Sequence, residues 1–182
     1  MRSSGALFFT ETEKNPRANF MDTRSKILSR AGLHDVLEEH RRAGRKIVLA
    51  NGIFDLLHVG HVRYLNAARA EGDILVVAIN SNSSARALKG PGRPILTEQA
   101  RAALVAALAA VDYVVIFDEL DVKPLLREIE PDVHAKGTDY TAETVPEREL
   151  SAQLGIRVAI VGDPKDHSTR DLLARLRRPS DG

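Results

Sequence analysis

Apolar residues along this chain gather into short, mostly apolar runs: Ile47 to Ala50, Ile74 to Ile79, Tyr113 to Phe117, Asp132 to Ala135 and Val158 to Val161. Between them lie stretches in which apolar and charged positions recur at helical spacing. The first covers Ser25 to Arg42 around Ile27, Leu28, Ala31, Val36 and Leu37, with Gly44 as its stop. A second runs from about Gly60 to Ala70 on Val62, Leu65 and Ala68, and Gly72 punctuates it. Ser83 to Leu88, the alanine-rich Glu98 to Ala110, Val122 to Ile129 and a closing Thr169 to Leu176 complete the helical set. Runs this short and continuously apolar, separated by helices, predict strands buried on both faces. The fold class expected is therefore α/β: a Rossmann-like, doubly wound, parallel five-stranded sheet in a single domain.

Residues 1 to about 20 hold no sustained period and are rich in polar residues. They read as a disordered leader, or as sequence upstream of a true start at Met21, so residues 1–24 are set apart from a domain over 25–182 with an N-terminal helix. The length suits one proper core. With 26 Lys and Arg against 25 Asp and Glu, the net charge of +1 gives no general attraction to nucleic acid or to an anionic membrane, so any phosphate binding has to be local. Aromatic residues make up only 4% of the chain and form no stacking pattern, which disfavours a nucleic-acid partner. The absence of cysteine excludes disulfides, thiolate chemistry and Cys-ligated zinc and fits a reducing compartment. No apolar run is long enough to span a bilayer and the start lacks the order of a signal peptide, so no membrane partner and a cytoplasmic location are expected.

Ligands of open parallel sheets bind beyond the carboxyl ends of the strands, which directs attention to the residues after each run. The first such edge is Asn51-Gly-Ile-Phe-Asp-Leu-Leu-His-Val-Gly-His61. Gly52 lets the backbone approach a phosphate, and the opening amides of the next helix supply unpaired donors and a favourable dipole. His58 and His61, three apart across Gly60, can face one ligand and donate to triphosphate oxygens as charge builds on the reacting phosphorus. A zinc site needs a third ligand, and His34, His40, His134 and His167 show no metal spacing, so no metal ligand is assigned within the protein. Arg41, Arg42, Arg45 and Lys46 read as a solvated helix end complementing the dipole rather than as a phosphate site.

These residues resemble the nucleotidyltransferase superfamily marked by His-x-Gly-His. From about Lys26 to Arg177 the chain is similar to the adenylyltransferases of bacterial ADP-heptose synthesis. The strings that carry the likeness are Asn51 to Leu65, Val77-Ala-Ile-Asn-Ser81, Leu88-Lys-Gly-Pro-Gly-Arg-Pro94, Val111-Asp-Tyr-Val-Val115, Lys136-Gly-Thr-Asp-Tyr140 and Ser168-Thr169. The resemblance implies transfer of AMP from ATP to D-glycero-β-D-manno-heptose 1-phosphate, with magnesium accompanying ATP and pyrophosphate leaving, as a step of lipopolysaccharide core biosynthesis. It implies catalytic roles for His58, His61 and Lys89. Nucleotide contacts fall to Asn51, Gly52, Ile53, Phe54, Gly60, Arg93, Ser168 and Thr169, and sugar-phosphate contacts to Asp55, Lys136, Gly137 and Asp139. Asp55 has a second reading as a helix cap and Ser168 as a plain N-cap. Glu98 and Arg101 read as packing and ion-pair residues opening their helix.

Three positions depart from the family pattern: Asn82 where an Asp is usual, Thr138 where a second Gly is frequent, and Arg170 where Ser-Thr-Thr is common. A separate sugar kinase is expected to supply the acceptor, and a homodimer is the usual assembly of similar enzymes. The nearest rival is a cytidylyltransferase acting on glycerol 3-phosphate or another alditol phosphate. Such enzymes carry two arginines absent from Ala109-Ala-Val-Asp112 and Asp163-Pro-Lys-Asp-His167. A non-catalytic nucleotide-binding module is the alternative of another class.

Overall fold

The structure is a computed structural model and describes residues 23–163. Residues 1–22 of the expected leader and the stretch expected as a closing helix, with His167, Ser168, Thr169 and Arg170, lie outside the described residues. After a 3-10 turn at Thr23–Lys26 the elements run β1 (Ile27–Leu28), α1 (Arg30–Arg42), β2 (Ile47–Gly52), α2 (Val59–Arg69), β3 (Ile74–Asn80) and α3 (Asn82–Lys89). Then follow α4 (Glu98–Ala106), β4 (Tyr113–Phe117), α5 (Lys123–Ile129), β5 (Val133–Gly137), α6 (Arg148–Gln153) and β6 (Arg157–Val161).

The strands form one sheet in the order β1-β4-β3-β2-β5-β6, with every neighbouring pair parallel. Five of them are the strands the apolar runs predict, and β1 is a sixth. Ile27 and Leu28 lie inside the stretch read as helix, but Ser29 stops the helix from reaching them. Its side chain accepts from the Gly32 amide at 3.2 Å, so α1 starts at Arg30 and the two residues before it pair with Val114 and Val115. Two residues are too few to show a period. The alanine-rich helix also ends early, at Ala106, and α6 is a short helix with no counterpart among the predicted elements.

Strand periodicity sorts the core into two layers. Val48, Ala50, Val77, Ile79, Val114, Val133 and Ala135 face Leu65 and Ala68 of α2 and Ala102, Val105 and Ala106 of α4. Ile47, Leu49, Val76, Ala78, Val115 and Phe117 face Leu33 and Leu37 of α1, Leu125, Leu126 and Ile129 of α5, and Leu150 of α6. Each fully buried aliphatic side chain contributes about 1.5–3 kcal/mol by leaving water.

Carboxylates close the amino-terminal edge of the sheet. Asp132 accepts from the Ile47 amide at 2.7 Å, Asp112 from Leu75 at 2.8 Å and Asp73 from Lys46 at 2.8 Å. That edge is thereby satisfied by the protein itself. At the opposite edge the topology opens. The chain passes from β2 to β3 and β4 on one side, then returns to lay β5 on the other side of β2. The strand order thus reverses between β2 and β5, and the crevice beyond their carboxyl ends is where a doubly wound sheet takes its ligand.

Candidate active site

The turn leaving β2 builds one wall of this crevice. Phe54 adopts φ 50°, left-handed backbone that a bulky residue seldom takes, and this turns its ring inward to 4% exposure. Gly52 makes the turn possible, because a Cβ there would stand 3.0 Å from the Phe54 ring. His58 then occupies the N-cap of α2 with extended backbone, and its own side chain makes no capping hydrogen bond to the helix. Its carbonyl accepts from the His61 amide at 2.9 Å, while Val59 and Gly60 open the helix ahead of that bond. The spacing of three stacks the two imidazoles, with centroids 3.8 Å apart and planes at 26°. Phe54 packs on His61 at 5.2 Å and holds the pair from behind.

A second wall, the loop 90–97, is strapped to that turn. Asp55 is 3% exposed, and its Oδ1 accepts from the Ile95 and Leu96 amides at 2.8 and 3.0 Å. Its Oδ2 lies 2.8 Å from Arg93 Nε. Arg101, fully buried, donates to the Ile53 carbonyl at 2.6 Å, the Leu96 carbonyl at 3.2 Å and Asn82 Oδ1 at 3.2 Å. Burial holds its pKa below the ordinary arginine value, against the pull of Asp55 and Glu98. Asn82 and Glu98 close the strap reciprocally: the Asn82 amide donates to Glu98 Oε2 at 2.6 Å and the Glu98 amide to Asn82 Oδ1 at 2.8 Å. Lys89, the last residue of α3, is exposed just before this loop and is tied by no hydrogen bond or ion pair to another described residue.

The carboxyl end of β5 forms the third wall. Lys136 is 6% exposed, with Nζ 3.2 Å from Glu147 Oε2, 3.5 Å from Asn51 Oδ1 and 4.9 Å from the Tyr140 ring centroid. His134, fully buried, reaches Asn51 Oδ1 through Nε2 at 3.0 Å. Burial, and then the nearby Lys136 charge, push its pKa down to about 3, so it stays neutral near neutral pH. Tyr64 of α2 donates to the Ala135 carbonyl at 2.8 Å, and burial raises its pKa. Space beside Gly137 is open, since a Cβ there would meet nothing within 4 Å. Asp139 is exposed in the following loop, and the Thr138 hydroxyl donates to the Asp163 carbonyl at 2.8 Å.

A cytidylyltransferase-like family model matches residues 49–170, which includes all three walls. The chain belongs to that family of nucleotidyltransferases. Bifunctional protein HldE of Syntrophotalea carbinolica is 49% identical over 152 residues, covering 84% of this chain and 31% of the relative. The protein of the same name from Wolinella succinogenes is 48% identical over 129 residues, covering 71% of this chain and 27% of its own. The chain thus spans about a third of the length of the curated relatives it matches. Among solved structures, a lipopolysaccharide core biosynthesis protein from Thermoplasma volcanium aligns with a TM-score of 0.58 at 31% identity, over 67% of this chain and all of that one.

Within this nucleotidyltransferase fold, Asn51, Gly52, His58, Gly60, His61, Lys136 and Gly137 lie around the β2–β5 crevice. Ile53 contributes its carbonyl to Arg101. Three expected contact residues make ion pairs within the protein. The Asp55 carboxylate holds the loop with both oxygens and caps no helix, and the Lys136 charge is balanced by Glu147. Arg93 is likewise paired. Asn82 does structural work that needs an acceptor rather than a charge. The sequence assigns no site role to His134, Glu147, Tyr64 or Tyr140, which the fold brings to this crevice. For His134 a signal exists: Val133-His-Ala-Lys136 puts two polar residues at strand period two on one face of an otherwise buried strand.

Proposed function

We propose that the chain catalyses adenylyl transfer from magnesium–ATP to heptose 1-phosphate, yielding ADP-heptose and pyrophosphate. The observation that carries this reading is the stacked His58–His61 pair at the start of α2, beside the point where the strand order reverses. Similarity to HldE proteins and to a lipopolysaccharide core biosynthesis protein supports the sugar phosphate as acceptor.

An oxygen of the acceptor phosphate attacks the α-phosphorus of ATP in line, and the bond to the bridging oxygen breaks as pyrophosphate leaves. The acceptor is already an anion, so no side chain has to remove a proton or act as nucleophile. Catalysis is then positioning plus stabilisation of charge on the non-bridging oxygens. His58, His61 and the first amides of α2 donate to those oxygens, and Lys89 brings a mobile cation from the end of α3. Asn51, Gly52, Ile53 and Phe54 shape the nucleotide wall, and Ser168 and Thr169 are further nucleotide contacts in this reading. Gly137 leaves room for the sugar phosphate, and Asp139 meets its hydroxyls. Asp55 and Arg93 serve by holding the loop that follows Lys89.

Nucleotidyltransferases use magnesium with the nucleoside triphosphate. In this reading the ion comes with the substrate, carried on its phosphates. A sugar kinase reaction has to supply the acceptor. A homodimer accompanies this reading, and sedimentation of the purified protein checks it.

The test is pyrophosphate release with magnesium, crossing ATP and CTP with heptose 1-phosphate and glycerol 3-phosphate. Turnover is expected with ATP and heptose 1-phosphate, reduced about a hundredfold or more in His61→Ala, the loss typical of one removed transition-state donor. Turnover confined to CTP and glycerol 3-phosphate would overturn the assignment of both substrates. Nucleotide binding without turnover in any pair would overturn the enzyme reading.

A further inference from the structure

Asn51 stands at the end of β2, half-buried at the β2–β5 crevice, and its side-chain amide is held by one atom only. Oδ1 takes two donors, His134 Nε2 at 3.0 Å and Lys136 Nζ at 3.5 Å, both from β5. An ammonium can only donate, so the atom facing it is the amide oxygen, and Nε2 therefore carries the imidazole proton. The Asn51 amide nitrogen has no hydrogen-bond partner among the described residues. The Lys136 charge is balanced by Glu147 at 3.2 Å, and its ammonium lies over the Tyr140 ring, 4.9 Å from the centroid. The cluster therefore supplies direction to Asn51 rather than net charge.

We infer that His134 is a positioning residue: it donates to Asn51 Oδ1 and, with Lys136, orients the Asn51 amide so that its two N–H groups meet a phosphate oxygen in the crevice. This inference rests on the proposed nucleotidyl transfer and names a specific contact within it. A side chain presenting two N–H donors, with its acceptor turned inward, suits the oxygens of an anion. Both the triphosphate and the sugar phosphate offer such an oxygen. Fixing the amide beforehand removes the rotational freedom that binding would otherwise have to remove.

Three variants of the full chain test it through separate Michaelis constants for ATP and for heptose 1-phosphate. His134→Leu keeps an apolar body and removes the donor. His134→Gln keeps a neutral N–H donor on a side chain of similar reach. Asn51→Asp keeps an acceptor for His134 and Lys136 but replaces the two outward donors with an oxygen. His134→Leu is expected to raise one KM about tenfold while kcat moves less than about threefold, the signature of lost substrate binding. His134→Gln should return that KM to within about threefold of the parent. Asn51→Asp should raise the same KM further, and the substrate affected identifies whose phosphate Asn51 holds. An active parent with both KM values unmoved in Asn51→Asp would overturn the inference, and this variant decides alone if His134→Leu does not fold. Failure of a folded His134→Gln to recover the parent KM would overturn it as well. A parent protein without turnover would overturn the proposed function and this inference together, whereas unmoved variants of an active parent overturn the inference alone.

Discussion

Mild acid should destabilise this protein through one buried imidazole. His134 is fully buried, and its pKa falls from 6.5 to about 3 because the folded interior, with Lys136 beside it, disfavours the charged ring. In the unfolded chain the same ring titrates near its ordinary value. As pH drops below about 6.5 the unfolded state takes up a proton that the native state refuses, so stability is lost; the loss ends near pH 3, where the native ring also protonates. Between pH 7 and pH 5 the linkage amounts to roughly 2 kcal/mol, from a slope approaching about 1.4 kcal/mol per pH unit. That is a sizeable share of a typical domain stability of about 5–15 kcal/mol. The chain has no tryptophan, so urea unfolding is followed by far-ultraviolet circular dichroism at the two pH values. His134→Leu removes the titrating group and leaves every other ionisable residue of the chain in place. The stability lost between pH 7 and pH 5 should therefore be smaller in the variant by roughly 2 kcal/mol. Equal losses in the two proteins would refute the reasoning, because they would mean that His134 ionises in the native state as readily as in the unfolded chain.

Three further perturbations probe the walls of the crevice. Arg101→Leu strands the Ile53 and Leu96 carbonyls and should lower stability by about 3 kcal/mol in urea unfolding; Arg101→Lys should recover little, since one ammonium cannot span three acceptors set by a guanidinium. Stability restored by lysine would show that charge alone matters there. Asp55→Asn breaks the Arg93 pair, leaving a mostly buried guanidinium, and should cost about 3 kcal/mol and speed proteolytic cleavage in the loop 90–97; unchanged cleavage would mean that the carboxylate is not what holds the loop. Gly52→Ala places a methyl group 3.0 Å from the Phe54 ring, which backs His61, and should cost about 1–3 kcal/mol and lower pyrophosphate release more than a variant of equal instability in the distant core. Parent-like turnover would show that the turn relaxes without moving His61.

Much of the architecture is legible in the sequence because its physics is local. Runs such as Ile74 to Ile79 are apolar along their whole length, which suits a sheet covered on both faces. The residues Asn51 to His61 likewise encode a strand end, a glycine turn and two histidines on one helical face, since each of those properties depends on neighbours within a turn or two. β1 is not legible, because two residues carry no period and their strand exists only through pairing with β4, far along the chain. Nor is the division between ligand-facing and structural side chains. Asp55, Arg93 and Lys136 look alike in sequence whether they meet a phosphate or each other's neighbourhood; only the folded positions of Ile95, Leu96 and Glu147 decide that their charges are already matched. His134 is the sharpest case. From sequence it is one histidine without metal spacing, but the parallel register of β5 beside β2 buries it completely and turns it onto Asn51. Burial and partner choice arise from contacts distant in sequence, so ionisation and orientation belong to the tertiary structure, while secondary structure and the histidine pair are written in the chain itself.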